Sequence, residues 1–246
     1  MSSVLSFSAY LYNKIFPVQT QREIDLNTYV AKGHKLLLTD EDIKSVCTEV
    51  KHLDKLKLLL AENGISTFLI GGSYGLRVFT EKKFPTNDID IFCPILSPTF
   101  SKYEDFDLKP EVSVLTKMYK GITVRLAKDY HKIVDGKRVP LSVVNDDEAT
   151  EQFDDYIVGT ANTIVDGMKI QFVFVNVPST HIQKWYMGAS DLPTCITFDP
   201  LQTYFGIGNI ERAKNSLHGV LTGINHEPRR LKYIEKGFVC LDPFQK

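Results

Sequence analysis

The feature that most constrains this sequence is a glycine pair with a serine, Gly71-Gly72-Ser73, followed further along the chain by two alternating aspartates, Asp88 and Asp90. The apolar run before the glycines, residues 67–70, predicts a buried strand, and residues 74–80 predict a short helix. The aspartates open a stretch in which charged and apolar residues alternate, which is typical of a strand with two different faces. The sequence therefore predicts a strand, a glycine turn, a helix and a second strand in that order.

These residue types suggest a phosphate cradle beside a metal site. Glycines let the backbone approach a ligand closely, and Ser73 at the start of a helix adds a hydroxyl to the unpaired N–H groups of the first turn. The carboxylates of Asp88 and Asp90 project from one face of their strand. They repel each other unless a cation lies between them, and hard carboxylate oxygens suit Mg²⁺. Two such ions activate a hydroxyl and brace a leaving pyrophosphate, so the residues point to nucleotidyl transfer chemistry.

The rest of the chain predicts helices mixed with strands. Residues 43–60 place apolar side chains at three- and four-residue spacing, which predicts one amphipathic helix. Thr39 caps its start, and Asn63-Gly64 stops it. The Asp166-Gly167 pair between two β-branched runs predicts a β-hairpin.

The predicted arms of that hairpin are residues 156–165 and 168–177. Further strands are predicted at 122–126 and 195–198, and further helices at 178–187, 209–219 and 227–238. We therefore expect an α/β (α+β) fold with a mixed sheet flanked by helices. The predicted organisation is an N-terminal extension at 1–37, a core at 38–205, and a helical C-terminal section at 206–246 that packs on the core.

The composition limits the kinds of binding partner that we expect for this protein. The 29 Lys and Arg residues balance 30 Asp and Glu residues, for a formal net charge of −1, which argues against binding nucleic acid through bulk charge but not against a local basic groove. No apolar run approaches the roughly 18 residues of a membrane span, so no membrane partner is expected. The four cysteines are scattered, which favours an intracellular protein, cytoplasmic or nuclear.

The ordered Gly-Gly-Ser and Asp-x-Asp motifs, at about residues 66–95, resemble the DNA polymerase β-type nucleotidyltransferase superfamily. Its members include poly(A) polymerases, CCA-adding enzymes, cyclic-dinucleotide synthases and antibiotic-modifying adenylyltransferases. Segments 169–173, 191–195 and 230–238 are similar to a divergent branch associated with large DNA viruses and mobile elements. The resemblance implies a nucleotidyltransferase-like core.

The resemblance also implies roles for single residues. Gly71, Gly72 and Ser73 would contact the triphosphate of an NTP such as ATP. Asp88 and Asp90 would be the catalytic acids and would ligate Mg²⁺ or Mn²⁺. Arg77, in the predicted short helix at 74–80, is a candidate phosphate ligand. The alternative is that Arg77 is a solvated residue at the end of that helix.

The third acid of the superfamily departs from the pattern. The matching strand carries Gln171 at that position, and an amide neither accepts a proton as a base nor ligates Mg²⁺ as a carboxylate does. Asp154, Asp155 and Asp166 are nearby acids that could substitute, although Asp166 is more simply the first residue of the hairpin turn.

Two functions follow from these residues. The first is a Mg²⁺-dependent nucleotidyltransferase that uses an NTP donor and an RNA end, a protein hydroxyl or a small molecule as acceptor. The second is a catalytically degenerate relative that serves nucleotide binding, nucleic-acid binding or structural assembly. Trp185 and Tyr186 allow two interpretations as well, since aromatic residues stack on bases or pack a helix into the core.

Overall fold

The computed structural model describes residues 20–31, 35–102, 106–134, 137–140 and 156–241. The chain forms two compact units, Met1–Leu36 and Leu37–Lys246. In the first unit the described helix is α1, Gln21–Ala31. The division into sections at 38–205 and 206–246 stays a prediction.

The helices of the second unit flank its sheet. They are α2 (Asp40–Glu49), α3 (Leu53–Glu62), α4 (Gly72–Thr80), α5 (Lys109–Leu115), α6 (Ala127–Tyr130), α7 (Ile182–Ala189, after a 3₁₀ turn at Ser179–His181), α8 (Ile210–Leu217) and α9 (Glu227–Glu235).

The main sheet of the described residues consists of β1 (Leu36–Leu37), β2 (Phe68–Ile70), β3 (Asp88–Pro94), β4 (Thr123–Leu126), β7 (Ile157–Val165), β8 (Met168–Val175), β9 (Thr194–Phe198) and β10 (Thr203–Ile207). These eight strands lie side by side in the order β1-β10-β9-β2-β3-β8-β7-β4. Strands β3 and β8 run parallel, whereas β2 and β7 pair antiparallel with their neighbours. The predicted mixed α/β fold with flanking helices is therefore confirmed.

Two small strand pairs complete the architecture. Strands β5 (His131–Val134) and β6 (Lys137–Pro140) pair antiparallel. Strands β11 (Val220–Thr222) and β12 (Val239–Leu241) pair parallel. The predicted helical C-terminal section thus contains α8 and α9 together with a parallel strand pair that the sequence analysis did not identify.

The predicted helix at 43–60 is two helices in the structure. Thr39 caps α2 as expected, because its side chain accepts the Asp42 N–H and the Asp42 carboxylate accepts the Thr39 N–H. The chain then breaks at His52, which takes a left-handed conformation with φ 66° and starts α3. The apolar spacing continues across the break, so both helices bury one stripe and periodicity alone does not reveal the bend.

The predicted hairpin is confirmed. Strands β7 and β8 pair antiparallel, with Val165 opposite Met168. Asp166 and Gly167 form the turn with φ 49° and 84°, a left-handed pair that Asp-Gly accommodates.

The acidic strand lies in the middle of this sheet. Ile89, Ile91 and Cys93 of β3 are fully buried on one face, whereas Asp88 and Asp90 are half-buried on the other. Helix α7 covers part of that second face, where Tyr186 joins a buried cluster with Leu69 and Val173 of the neighbouring strands. The sheet thus holds the two carboxylates beside a helix that is packed into the core.

A second cluster brings the C-terminal residues to the start of β3. Leu76 of α4 and Phe84 pack against Tyr233 and Phe238, with Leu192 and Leu221 in the same cluster. The rings of Phe84 and Phe238 meet edge to face at 5.4 Å. This packing fixes the end of α9 next to α4 and the loop that leads to the acidic strand.

None of the described helices combines the length and the hydropathy that a membrane crossing needs.

Candidate active site

The two predicted metal ligands share one face of β3. Asp88, Asp90 and Phe92 alternate with the buried residues of that strand and are each half-buried. Phe92 packs against the rings of Trp185 at 6.1 Å and Tyr186 at 4.9 Å. The two carboxylates therefore stand at the start of this face, and aromatic rings close its far end.

The glycine turn lies directly against the acidic strand. Gly71 caps α4, and its N–H donates to the Asp90 carbonyl oxygen at 3.0 Å. Gly72 has φ +61°, and a Cβ there would overlap the Asp90 carboxylate. A side chain at position 72 is thus excluded by backbone conformation and by space, because the carboxylate occupies the place that a Cβ would take.

Tyr186 is the third partner in this contact. Its hydroxyl accepts the Gly72 N–H at 3.0 Å, and its ring fills the space where a side chain at Gly71 would stand. Burial raises the pKa of Tyr186 well above its usual range, so the phenol stays neutral. The first N–H of helix α4 is therefore engaged, and the N–H groups of Ser73 and Tyr74 are the next donors of the first turn.

The hydroxyl of Ser73 is an unpaired polar group in the interior. Ser73 is 3 % exposed, and its Oγ has no hydrogen-bond partner among the described residues. Leaving such a group unpaired costs about 1–3 kcal/mol. The first turn of α4 is thus the place in this site that gains most from an added acceptor.

An amide, Gln171, stands at the position where the sequence analysis expected a third acid. Gln171 lies opposite Asp90 in the parallel register of β3 and β8. Its Nε2 donates to Oδ1 of Asn162 at 3.0 Å, and Asn162 lies opposite Gln171 on β7. Three neighbouring strands thus carry one carboxylate and two amides in a row, and the two amides bind each other.

Of the substitute acids, Asp166 is placed at the hairpin turn. It forms an ion pair with Lys51 at the surface, and hydrogen bonding with that lysine lowers the pKa of its carboxyl. The three residue steps from Met168 to Gln171 span roughly 10 Å, so the turn that holds Asp166 lies at least that far along the hairpin from the Asp90 row. Asp154 and Asp155 lie outside the described residues. Within the described part of the chain, no three His, Cys, Asp or Glu side chains gather as a metal-binding group.

Arg77 is turned to a protein partner. It forms an ion pair with Glu49 and its guanidinium lies 5.0 Å from the centre of the Tyr74 ring. Burial lowers its pKa. The structure thus places this predicted phosphate ligand on α4 beside the site, with its charge balanced by Glu49.

Lys236 is a cation at the site that the sequence analysis did not single out. Burial is the main cause that lowers its pKa, and the positive charges of Lys232 and Arg77 lower it further, whereas the charges of Asp88 and Asp90 raise it. Its Nζ lies 5.4 Å from the centre of the Phe84 ring. Lys236 therefore stands within electrostatic reach of both carboxylates. The available signal was its place in segment 230–238, which the resemblance already included.

Two arginines at the start of α9 form ion pairs, and the two aromatic candidates of α7 differ in burial. Arg229 donates to Asp191 at 2.9 Å, and Arg230 donates to Glu227 at 2.7 and 3.0 Å. Tyr186 is 3 % exposed and belongs to the core. Trp185 is only partly buried against that core, so part of its ring is accessible from outside it.

No protein-family model matches the sequence, and no curated protein matches it. Solved structures with similar folds include a CCA-adding enzyme in complex with CTP, at 12 % identity and a TM-score of 0.42, and the same kind of enzyme with ATP, at 14 % and 0.41. Each match covers 77 % of this chain and 38 % of the solved one. A tRNA-processing enzyme in its apo form matches at 13 % identity and a TM-score of 0.44, over 85 % of this chain and 46 % of the other. The chain thus spans less than half the length of these solved proteins.

Proposed function

We propose that this site binds a nucleoside triphosphate with Mg²⁺ or Mn²⁺ and uses it as donor in nucleotidyl transfer. The observation that carries the proposal is the contact between the Gly71-Gly72 turn and Asp90, which joins the start of a helix to a pair of carboxylates. A helix start favours phosphate, and the paired carboxylates favour the cation that accompanies it.

The donor set fits a hard divalent cation. Asp88 and Asp90 offer carboxylate oxygens from one half-buried face of β3. Water and phosphate oxygens are the further ligands that such a cation takes. When bound, the metal supplies charge neutralisation for the phosphates and for a leaving pyrophosphate.

The protein's own groups hold the triphosphate in this proposal. The buried Ser73 hydroxyl and the first-turn N–H groups of α4 donate to the phosphate oxygens. Lys236 adds a positive charge within electrostatic reach of both carboxylates. Tyr233 of α9 is buried within electrostatic reach of the same acids.

A second candidate is nucleotide binding without transfer, and the pair Gln171–Asn162 favours it. An amide at the third position takes no proton from an acceptor hydroxyl, so one role in activating the acceptor is missing. Both candidates share the NTP and the metal, and they differ in whether a bond to an acceptor forms.

The first experiment measures ATP and CTP binding by titration calorimetry with Mg²⁺ and with EDTA. We expect binding that needs the metal, and a loss in Asp88→Asn and Asp90→Asn, because even residues that only support a metal ligand change metal affinity about 10- to 100-fold. Asp54→Asn on the exposed surface of α3 is the matched control. Equal binding in the two site variants and the control contradicts the proposed site.

The second experiment separates the two candidates. Pyrophosphate release from labelled NTP is followed with Mg²⁺ and with Mn²⁺. Each reaction is run once with short RNA added and once with the protein and no added acceptor. Release that disappears in Asp90→Asn supports transfer. Tight, metal-dependent binding with no release supports the binding-only candidate, and absence of NTP binding at millimolar concentration overturns both.

A further inference from the structure

A cavity lies against a different face of α7 from the one that contacts the glycine turn. It has a volume of ≈ 350 Å³ and is lined by Phe100, Tyr156, His181, Trp185, Lys102 and Lys184. Gly188 and Ala189 also line it, and these small residues leave the helix surface low enough to admit a flat ring. The volume is at the lower end of the range for small-ligand pockets.

The lining is a set of aromatic rings in mutual contact. Phe100 stacks on Tyr156 with ring centres 5.6 Å apart and an interplanar angle of 30°, and it lies 5.6 Å from the His181 ring. Trp185 forms the helix side of the cavity. Phe100 is nevertheless 50 % exposed, so a large apolar ring stands at the surface where a further ring gains contact by covering it.

Among the described residues that line this cavity, the charged side chains are lysines. The fully charged residues among its lining are Lys102 and Lys184, and Lys102 lies 5.7 Å from the centre of the Tyr156 ring. Aromatic rings next to lysines are complementary to a ligand that combines a flat ring with negative charge. A nucleic-acid strand meets that description, because its bases stack on aromatic side chains and its phosphates attract lysine.

We propose that this cavity binds a nucleotide unit of single-stranded nucleic acid, with a base stacked among Phe100, Tyr156 and Trp185 and the adjoining phosphates near Lys102 and Lys184. The bulk net charge of −1 does not oppose this, because the attraction is local to the cavity. An exposed aromatic surface without a sequence-reading hydrogen-bond pattern accepts any base.

The cavity and the candidate active site share a wall. Trp185 lines the cavity, and the next residue, Tyr186, binds the Gly72 N–H. Trp185 also packs on Phe92, which follows Asp90 on the same face of β3, roughly 7 Å along the strand. A strand held in the cavity thus has its neighbouring nucleotides close to the carboxylates.

Binding of the strand rests on the cavity alone, whereas its role as the acceptor for transfer rests on the proposed function. The two are tested under different conditions. Strand binding is measured in EDTA without NTP, so that neither a metal ion nor a triphosphate occupies the proposed active site.

The chain has one tryptophan, Trp185, so its fluorescence reports on the cavity directly. We expect unlabelled ten-nucleotide single-stranded RNA and DNA to quench it, and fluorescein-labelled strands to gain anisotropy over the same concentration range. Phe100→Ala is expected to weaken binding roughly 5- to 150-fold, the effect of losing one stacking platform. Leu201→Ala, at a side chain that is 93 % exposed, is the matched control for truncating a surface hydrophobic residue.

The lysines are tested by salt dependence. In Lys102→Gln/Lys184→Gln, the slope of log affinity against log salt is expected to fall by about 1.4, since each phosphate contact on a single strand contributes about 0.7. Lys55→Gln on the exposed surface of α3 is expected to keep the wild-type slope. The proposal is overturned if neither strand changes Trp185 fluorescence at millimolar concentration, or if strands bind Phe100→Ala as tightly as wild type. Unchanged strand binding in Asp90→Asn separates this cavity from the metal site.

Discussion

The Tyr186 hydroxyl accepts the backbone N–H of Gly72 at 3.0 Å, so a buried residue of α7 is hydrogen-bonded to the first turn of α4. The N–H that the sequence analysis assigned to phosphate therefore already has a protein partner. This contact also fixes α7 between the carboxylates on one side and the aromatic cavity on the other.

Tyr186→Phe removes this hydrogen bond, and the one between the same hydroxyl and the Ser190 side chain, and keeps the ring packing. We expect the free energy of unfolding to fall by at least about 1 kcal/mol, the usual net contribution of a single such bond. We also expect NTP to bind more tightly, because the Gly72 N–H becomes available to a phosphate oxygen. Urea denaturation and calorimetry measure the two effects. An unchanged midpoint of unfolding contradicts the hydrogen bond.

Gly72→Ala is expected to destabilise the protein by about 2 kcal/mol or more, because alanine at φ +61° is strained and its Cβ overlaps the Asp90 carboxylate. Gly188→Ala is the control within a helix, where an added Cβ meets no atom within 4 Å. That variant is expected to gain up to about 1 kcal/mol from helix propensity. Thermal unfolding of both variants gives the comparison, and equal melting temperatures contradict the proposed contact.

Gln171→Glu restores a carboxylate in the Asp90 row. Without metal we expect the free energy of unfolding to fall, because the new carboxylate faces Asp90. It also cannot donate the hydrogen bond that the Gln171 amide gives to Asn162. With Mg²⁺ we expect a larger rise in melting temperature than in wild type, since three carboxylates bind the cation more tightly than two. Gln171→Met, which is uncharged and of similar size, should show no such gain. If Mg²⁺ does not change the melting temperature of Gln171→Glu, Gln171 does not lie beside a metal site at Asp88 and Asp90.

Lys236→Met removes a cation within electrostatic reach of the two acids and keeps most of the apolar stem over Phe84. NTP binding is expected to weaken by roughly tenfold, in line with a charged hydrogen bond of about 1.5 kcal/mol. Exposed Lys128 on α6 provides the control Lys128→Met. Calorimetric affinities that fall equally in both variants contradict a specific role for Lys236.

The folded protein is expected to lose stability in alkali, because several of its tyrosine hydroxyls are buried. Burial raises the pKa of Tyr119 to about 12 from its ordinary value of 10.0, and it raises the pKa of Tyr74, Tyr186 and Tyr233 further. In the unfolded chain these phenols ionise near pH 10, whereas in the folded protein they keep their protons. The free energy of unfolding therefore holds below that pH and falls from pH 10 to 12, by about 1.4 kcal/mol per pH unit for each phenol.

Urea denaturation from pH 8 to 11 measures this slope. The thiols of Cys93 and Cys195, whose pKa burial also raises, extend the onset to about pH 9. Tyr119→Phe is expected to lessen the slope by one phenol, and its hydroxyl has no hydrogen-bond partner among the described residues that would be lost. A slope that stays at the wild-type value in Tyr119→Phe shows that the buried phenol is not a source of the alkaline instability.

The sequence predicted the structural elements that depend on residues close together in the chain. The Thr39 cap depends on Asp42 three residues later, and the hairpin depends on the adjacent Asp166 and Gly167. The break at His52 was not predicted, because the apolar stripe continues through it. The parallel pair β11–β12 was not predicted, because its strands are short and are separated by a helix.

The candidate site shows the same division. The local spacing of Asp88 and Asp90 predicted a shared face, which β3 has. The roles of Tyr186 and Lys236 depend on packing between distant segments, and no local pattern encodes such contacts. The aromatic cavity likewise joins Phe100, Tyr156 and Trp185 from three separate parts of the chain.

The parallel pairing of β3 with β8 has a consequence for the order of events during synthesis. Asp90 meets Gln171 only after the intervening residues have left the ribosome, and Tyr186 and Lys236 follow later still. Contacts at such sequence separation form slowly, because a long loop must close before any of them stabilises the chain. The nascent polypeptide therefore carries both aspartates for much of its translation without the residues that surround them in the folded protein.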